Sequence, residues 1–121
     1  GGAVATAPKL DLEAALQVVG GDSDLLREVA GLFIVDAPRQ LAEVRAAWAA
    51  GNADGLRRAA HSLKGAFANL GAVSASAAAA EVEMVSASGD LSTAQAALNA
   101  LEREMEATLA AIRERILEGI R

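Results

Sequence analysis

One histidine occurs in the chain, at position 61, and the residues around it repeat at helical spacing. On a helix, Arg57 and Arg58 lie one turn before His61, Lys64 and Gly65 lie one turn after it, and Ala68 follows a turn later. That face offers one imidazole, three cations and two very small residues, with no acid between Leu56 and Ala80. In a chain of net charge −5, this local excess of positive charge asks for an anion. An imidazole titrates near pH 6.5, so at neutral pH a large fraction is a neutral nucleophile. If a phosphoryl group were added to it, an ammonium one turn away could pair with the new anionic oxygens. Gly65 costs roughly 1 kcal/mol in a helix relative to alanine, and what it offers in return is clearance beside the ring, extended by Ala68.

Other chemistries are harder to build from these residues. Ser62 adjoins His61, but neighbouring positions on a helix diverge by about 100°, and no second histidine exists to act as a base. The chain has no cysteine, which excludes thiolate metal sites, disulfides and cysteine nucleophiles. A single histidine with scattered carboxylates is a poor metal set. A Gly-rich phosphate loop is not visible, so no ATP-binding or kinase site of its own is expected. The acidic balance argues against nucleic-acid binding. The longest charge-free stretch, residues 65–80, is too short and too polar to insert in a membrane.

The elements that would position His61 are helices. The chain of 121 residues holds 31 alanines, three aromatics and two prolines, a composition that favours closely packed helices. Asp11 can cap a short first helix carrying Leu12, Ala15, Leu16 and Val19, which Gly20-Gly21 ends. Asp22 or Ser23 can cap a second helix running to about residue 50, with Leu25, Val29, Leu32 and Phe33 as one apolar stripe and Leu41, Val44 and Trp48 as another. Pro38 between the stripes should kink or split that helix near Val35. Asn52 or Asp54 can start the third helix, which ends at Leu70-Gly71. A fourth is expected over residues 73–85, and a last one after Ser92, whose spacing to Gln95 is that of a capping box. In the last helix Ala94, Leu98, Leu101, Met105, Leu109, Ile112 and Ile116 keep a buried-face rhythm. Met84 and Met105 read as core, and Glu102, Glu104, Glu106, Glu114 and Glu118 as a solvated face opposed by Arg103, Arg113 and Arg115.

Within residues 56–72 the projection is consistent. Leu56, Ala60, Leu63, Phe67 and Leu70 fall within roughly 40° of one direction, and His61 about 140° away. The expected fold is all-α: an antiparallel four-helix bundle with an additional short N-terminal helix.

The run His61-Ser62-Leu63-Lys64-Gly65, followed by Asn69-Leu70-Gly71-Ala72, resembles the motif of histidine phosphotransfer (HPt) domains. Leu32-Phe33 to Pro38 and Leu41, then Gly51, Leu56 and Ala60, and Gly89-Asp90-Leu91 downstream, extend the likeness from Leu12 to about Ile112. Phe67 departs from it, being bulky where the family often has a small residue, and should alter packing rather than block the site. Asn52 stands where an acidic cap is more usual.

The resemblance implies that residues 10–121 form one HPt-like bundle behind a flexible leader, residues 1–9. It implies a phosphocarrier, not a kinase, in which His61 accepts a phosphoryl group at Nε2 from a receiver-domain aspartate and passes it to another receiver. Mg²⁺ would come from the partner receiver. Lys64 would support the phosphoryl group and Gly65 would give the partner clearance. Arg57, Arg58, Ala68, Val18, Leu25 and Val29 would meet the receiver. A hybrid sensor histidine kinase is a further expected partner, the module itself is expected to be a monomer, and its place cytoplasmic, either free or as a domain of a membrane-bound kinase. Two other readings stay open: the phosphoacceptor domain of a chemotaxis-type histidine kinase, and a non-catalytic helical adaptor bundle. One further residue is drawn in by projection. Asp36 falls on the second-helix stripe, where a carboxylate needs a partner, and it could hold the His61 ring through its non-reacting nitrogen or point to water where Pro38 twists the helix.

Overall fold

The computed structural model describes residues 10–118, so the expected leader over residues 1–9 lies outside the described residues. Helix α1 spans Leu12–Val18, α2 Ser23–Ala49, α3 Ala53–Asn69, α4 Val73–Ala87 and α5 Ala94–Ile112. A 3₁₀ turn over Leu91–Thr93 precedes α5, and a π-helical turn over Arg113–Glu118 continues it. Three starts follow from side-chain caps: Asp11 accepts from Ala14 N at 3.0 Å, Asp22 from Leu25 N at 3.0 Å and Asn52 from Gly55 N at 2.9 Å. Short connections make α2 to α5 antiparallel neighbours, with α3 packed on α2 and α4, and α5 packed on α4 and α2. The Arg45–Glu102 ion pair bridges α2 and α5, while α1 rests on α2 and α3.

The turn after α3 is tied to the start of the domain. Asp11 N donates to Gly71 O at 2.7 Å, and Gly71 adopts a φ of +70° that favours glycine. A Cβ at Gly71 would run into the Asp11 carbonyl.

Six expectations are corrected. Helix α2 is not split, and Pro38 sits within one continuous helix. Pro38 is exposed, so the carbonyl it leaves without a donor can be hydrated, while buried Ala37 and Val44 hold both sides of it to the core. Its core stripe is Leu26, Ala30, Phe33, Ala37 and Val44, rotated from the expected one, so Leu25 and Leu32 are exposed and Val29 is half-buried. Helix α4 continues to Ala87, with Ser86 buried and its hydroxyl satisfied by donation to Val82 O at 2.8 Å; Met84, expected in the core, is exposed. The Ser92–Gln95 capping box does not form: Asp90 accepts from Ser92 N at 3.0 Å, Ser92 lies in the 3₁₀ turn, and Gln95 bonds Asn99. In α5 the expected face is buried apart from half-buried Leu109, and it includes Met105. Glu104 is not a fully solvated charge, since its Oε1 is buried without a hydrogen-bond partner, as is the Thr108 hydroxyl.

Candidate functional site

Helix α3 is clamped in rotation by its core face. Leu56, Ala60, Leu63 and Phe67 are fully buried and Leu70 nearly so. Each large one contributes roughly 1.5–3 kcal/mol relative to exposure. Phe67 meets Phe33 of α2 edge-to-face with ring centroids 5.5 Å apart, so its bulk is spent in the core as expected. That rotation turns His61 outward, with 64% of its side chain exposed.

The ring is held from α4. Glu83 Oε2 lies 2.8 Å from His61 Nδ1, and Glu83 Oε1 lies 2.7 Å from Lys64 Nζ. A carboxylate can only accept, so the ring must carry its hydrogen on Nδ1 and donate it. In the neutral ring the lone pair is then at Nε2, on the far edge from Glu83. The Lys64 ammonium, followed by burial opposing it and then by His61, holds the Glu83 carboxyl below its ordinary range. Ser76 of α4 donates to the Lys64 carbonyl at 3.2 Å and fixes the two helices together at this level.

Beside the ring the surface is open. A Cβ built on Gly65 meets nothing within 4 Å, so this glycine is not spacing two packed helices. Ala68 is exposed one turn on. Arg57 and Arg58 both pair with Asp54, at 3.0 and 3.2 Å, which depresses the Asp54 carboxyl mainly through the Arg57 hydrogen bond. The cation cluster therefore has acids at both edges, Asp54 from its own helix and Glu83 from the next.

Of the two readings of Asp36, the orienting carboxylate is corrected by its contacts, and its side chain is 42% exposed. Its two oxygens accept from Arg39 Nε at 2.7 Å and Nη2 at 2.9 Å, and from Gln40 Nε2 at 2.7 Å. The forked Arg39 bond, then Gln40, lowers its carboxyl below the ordinary value. Asp36 lines a cleft on the α2 side of α3, with Ser62 and Ala66, whereas the carboxylate at His61 Nδ1 comes from the α4 side.

On α1 and α2, Val18 and Leu25 are exposed and Val29 is half-buried. Helix α2 carries two further large exposed apolar residues, Leu32 at 65% and Val35 at 80% exposure, which were not expected to meet the receiver. Glu83 was also missed. The sequence does not single it out, because Ser76 and Glu83 are seven apart on α4 and so are Ser74 and Glu81.

The Hpt domain family model matches residues 28–113, which include His61, Lys64, Gly65 and Glu83. The chain is similar to the crystal structure of histidine-containing phosphotransfer protein B (HptB) from Pseudomonas aeruginosa PAO1. The TM-score is 0.82 at 30% identity, covering 92% of this chain and 96% of that one. No match was found among curated proteins. With the helical bundle, the outward histidine and a family match over most of its length, the chain belongs to the Hpt domain family and is a histidine phosphotransfer module of phosphorelays.

Proposed function

We propose that His61 is the phosphoacceptor, that its Nε2 attacks the aspartyl phosphate of a receiver domain, and that the phosphoryl group then passes to the aspartate of another receiver. One observation carries this reading: the sole histidine is exposed, with its Nδ1 edge engaged, an ammonium one turn on and open space at Gly65. The receiver would supply Mg²⁺ and most of the charge stabilisation, and this module a positioned nucleophile. Lys64 would pair with the transferred oxygens. The receiver would dock over His61, Gly65 and Ala68 and onto the apolar residues Val18, Leu25, Leu32 and Val35, with Val29 beneath them and Arg57 and Arg58 at the rim. Phosphate transfer without a nucleotide site, action as a monomer, and a cytoplasmic setting complete the proposal. No described helix is long and apolar enough to cross a membrane.

The test is phosphoryl transfer from a phosphorylated receiver to the parent and to His61→Gln. The variant should fold as the parent does and take no label. Undiminished labelling of His61→Gln would refute the assignment. Labelling of His61 by a kinase with ATP and not by receivers would instead favour the chemotaxis-type phosphoacceptor.

A further inference from the structure

Helix α1 is held less by its own packing than by its two ends. It has seven residues, Leu12–Val18, and of these only Ala15 is fully buried. A helix that short does not persist in water by itself, so its order comes from what it is fastened to. After it the chain turns at Gly20 and Gly21, with φ of +66° and +81°, and Gly21 N donates to Leu16 O at 2.7 Å. Before it the attachments cross the molecule. Leu10 is buried and bridges Ala72, and Asp11 N donates to Gly71 O at 2.7 Å. The Leu10 carbonyl accepts from Arg115 Nη1 at 3.3 Å, from a residue 105 positions on.

The bond from Arg115 fills a need that α1 creates. The first carbonyl used inside α1 is that of Asp11, which accepts from Ala15 N at 3.0 Å. Leu10 O lies outside the helix, on a buried residue, and a buried carbonyl needs a donor. Arg115 supplies it with a guanidinium that has no carboxylate partner among the described residues, and a charged donor makes the stronger bond. Arg115 is itself anchored, because the π-helical turn that carries it buries Ile116 completely and packs on α2.

We infer that Arg115 is a positioning residue for receiver docking: by latching the Leu10 carbonyl it fixes the base of α1, and through α1 it places Val18 on the docking surface. The inference rests on the proposed docking of a receiver over α1 and α2, and adds what holds the smaller of those helices in place.

The route from Arg115 to Val18 is short. Arg115 holds Leu10, and the next residue, Asp11, both donates to Gly71 O and caps α1 by accepting from Ala14 N. Val18 stands on the last turn of that helix at 56% exposure, just before the glycine pair. Without the latch, α1 keeps the Asp11–Gly71 bond, buried Ala15 and half-buried Leu12 and Leu16, with two glycines beyond it that resist no rotation. It should then open more often. His61, Lys64 and Gly65 lie on α3, whose rotation is set by Leu56, Ala60, Leu63 and Phe67. The latch therefore acts on how a receiver is gathered and leaves the ring's own reactivity alone.

The experiment compares the full chain with Arg115→Ala and Arg115→Lys in three measurements. These are amide hydrogen exchange, transfer from a phosphorylated receiver at varied receiver concentration, and labelling by phosphoramidate, a phosphodonor that needs no docking surface. Arg115→Ala should lower the exchange protection of the Asp11, Ala15 and Gly21 amides by about tenfold, the lower end for losing a hydrogen bond to a charged group. Protection within α3 should not change. The receiver concentration giving half-maximal rate should rise roughly twofold or more, since only molecules with α1 closed bind fully. The rate at saturating receiver and the labelling by phosphoramidate should match the parent. Arg115→Lys keeps a cationic donor and should recover part of both effects. Unchanged protection of α1 in Arg115→Ala would overturn the latch. Lowered protection with an unchanged half-maximal concentration would overturn the docking role, and so would an equal fall in phosphoramidate labelling, which would make Arg115 a general support of the fold. A parent labelled by phosphoramidate at His61 but never by a receiver would refute the relay reading, and the exchange of α1 would still decide the latch.

Discussion

Replacing Gly65 separates stability from function more cleanly than any other change at this site. The glycine lies inside α3 with an ordinary helical backbone, and a Cβ there touches nothing. Gly65→Ala should therefore stabilise the fold by about 0.4–1 kcal/mol, from helix propensity and a less flexible unfolded chain. For a domain of this size that corresponds to a rise in Tm of roughly 2–4 °C. Gly65→Gln should also be at least as stable as the parent, since glutamine is a better helix former than glycine and its side chain has room to extend. It would then stand beside the exposed ring, where the proposed function has a receiver's active site come within bonding distance of Nε2. Thermal unfolding and phosphotransfer from a receiver, measured on the same three proteins, give the decision. The expected pattern is equal or higher Tm with transfer intact or modestly reduced in Gly65→Ala and largely lost in Gly65→Gln. A lower Tm for Gly65→Ala would refute the open space. A glutamine variant that transfers at the parent rate would refute the need for clearance.

Lys64→Ala should slow transfer or shorten the life of the phosphohistidine while changing stability by less than about 0.5 kcal/mol, because a part-exposed ion pair is lost and a better helix former gained; equal transfer kinetics would leave Lys64 as a solubilising residue. Thr108→Val should raise stability by about 1 kcal/mol in denaturant unfolding, since a fully buried hydroxyl without a partner is replaced by a methyl of similar shape; a loss of stability would mean the hydroxyl is satisfied. The Glu83 carboxyl is depressed in the folded state, chiefly by Lys64, so its contribution is present above its unfolded value near 4.5 and is lost as pH falls through the lower folded value. The stability gap between the parent and Glu83→Gln should therefore be steady at neutral pH and close in acid, and a gap that widens on acidification would contradict the sign.

Much of this molecule is legible from short-range signals. Caps at Asp11, Asp22 and Asn52, glycine stops and the single unambiguous stripe of α3 determine where the helices run and that His61 faces outward, because capping and helical projection involve residues only a few positions apart. The rotation of α2 is different. Adjacent Leu25 and Leu26 allow two apolar stripes about 100° apart, and only packing against α3 and α5 selects Leu26, which exposes Leu25 and Leu32. Asp36 pairs with Arg39 and Gln40, three and four positions on along its own helix, a contact that helical spacing alone allows. Helix α4 carries still less directional information. With alanine on nearly every side it has no strong polar face, so its sequence alone does not say whether Glu81 or Glu83 turns toward α3. Burial of Ala75, Ala79, Val82 and Ser86 makes that choice, and it brings Glu83 to a histidine 22 positions away. The outward face of His61 and its neighbouring cations was determined locally by sequence; the carboxylate that contacts His61 and Lys64 was decided by how one small-residue helix packs on another.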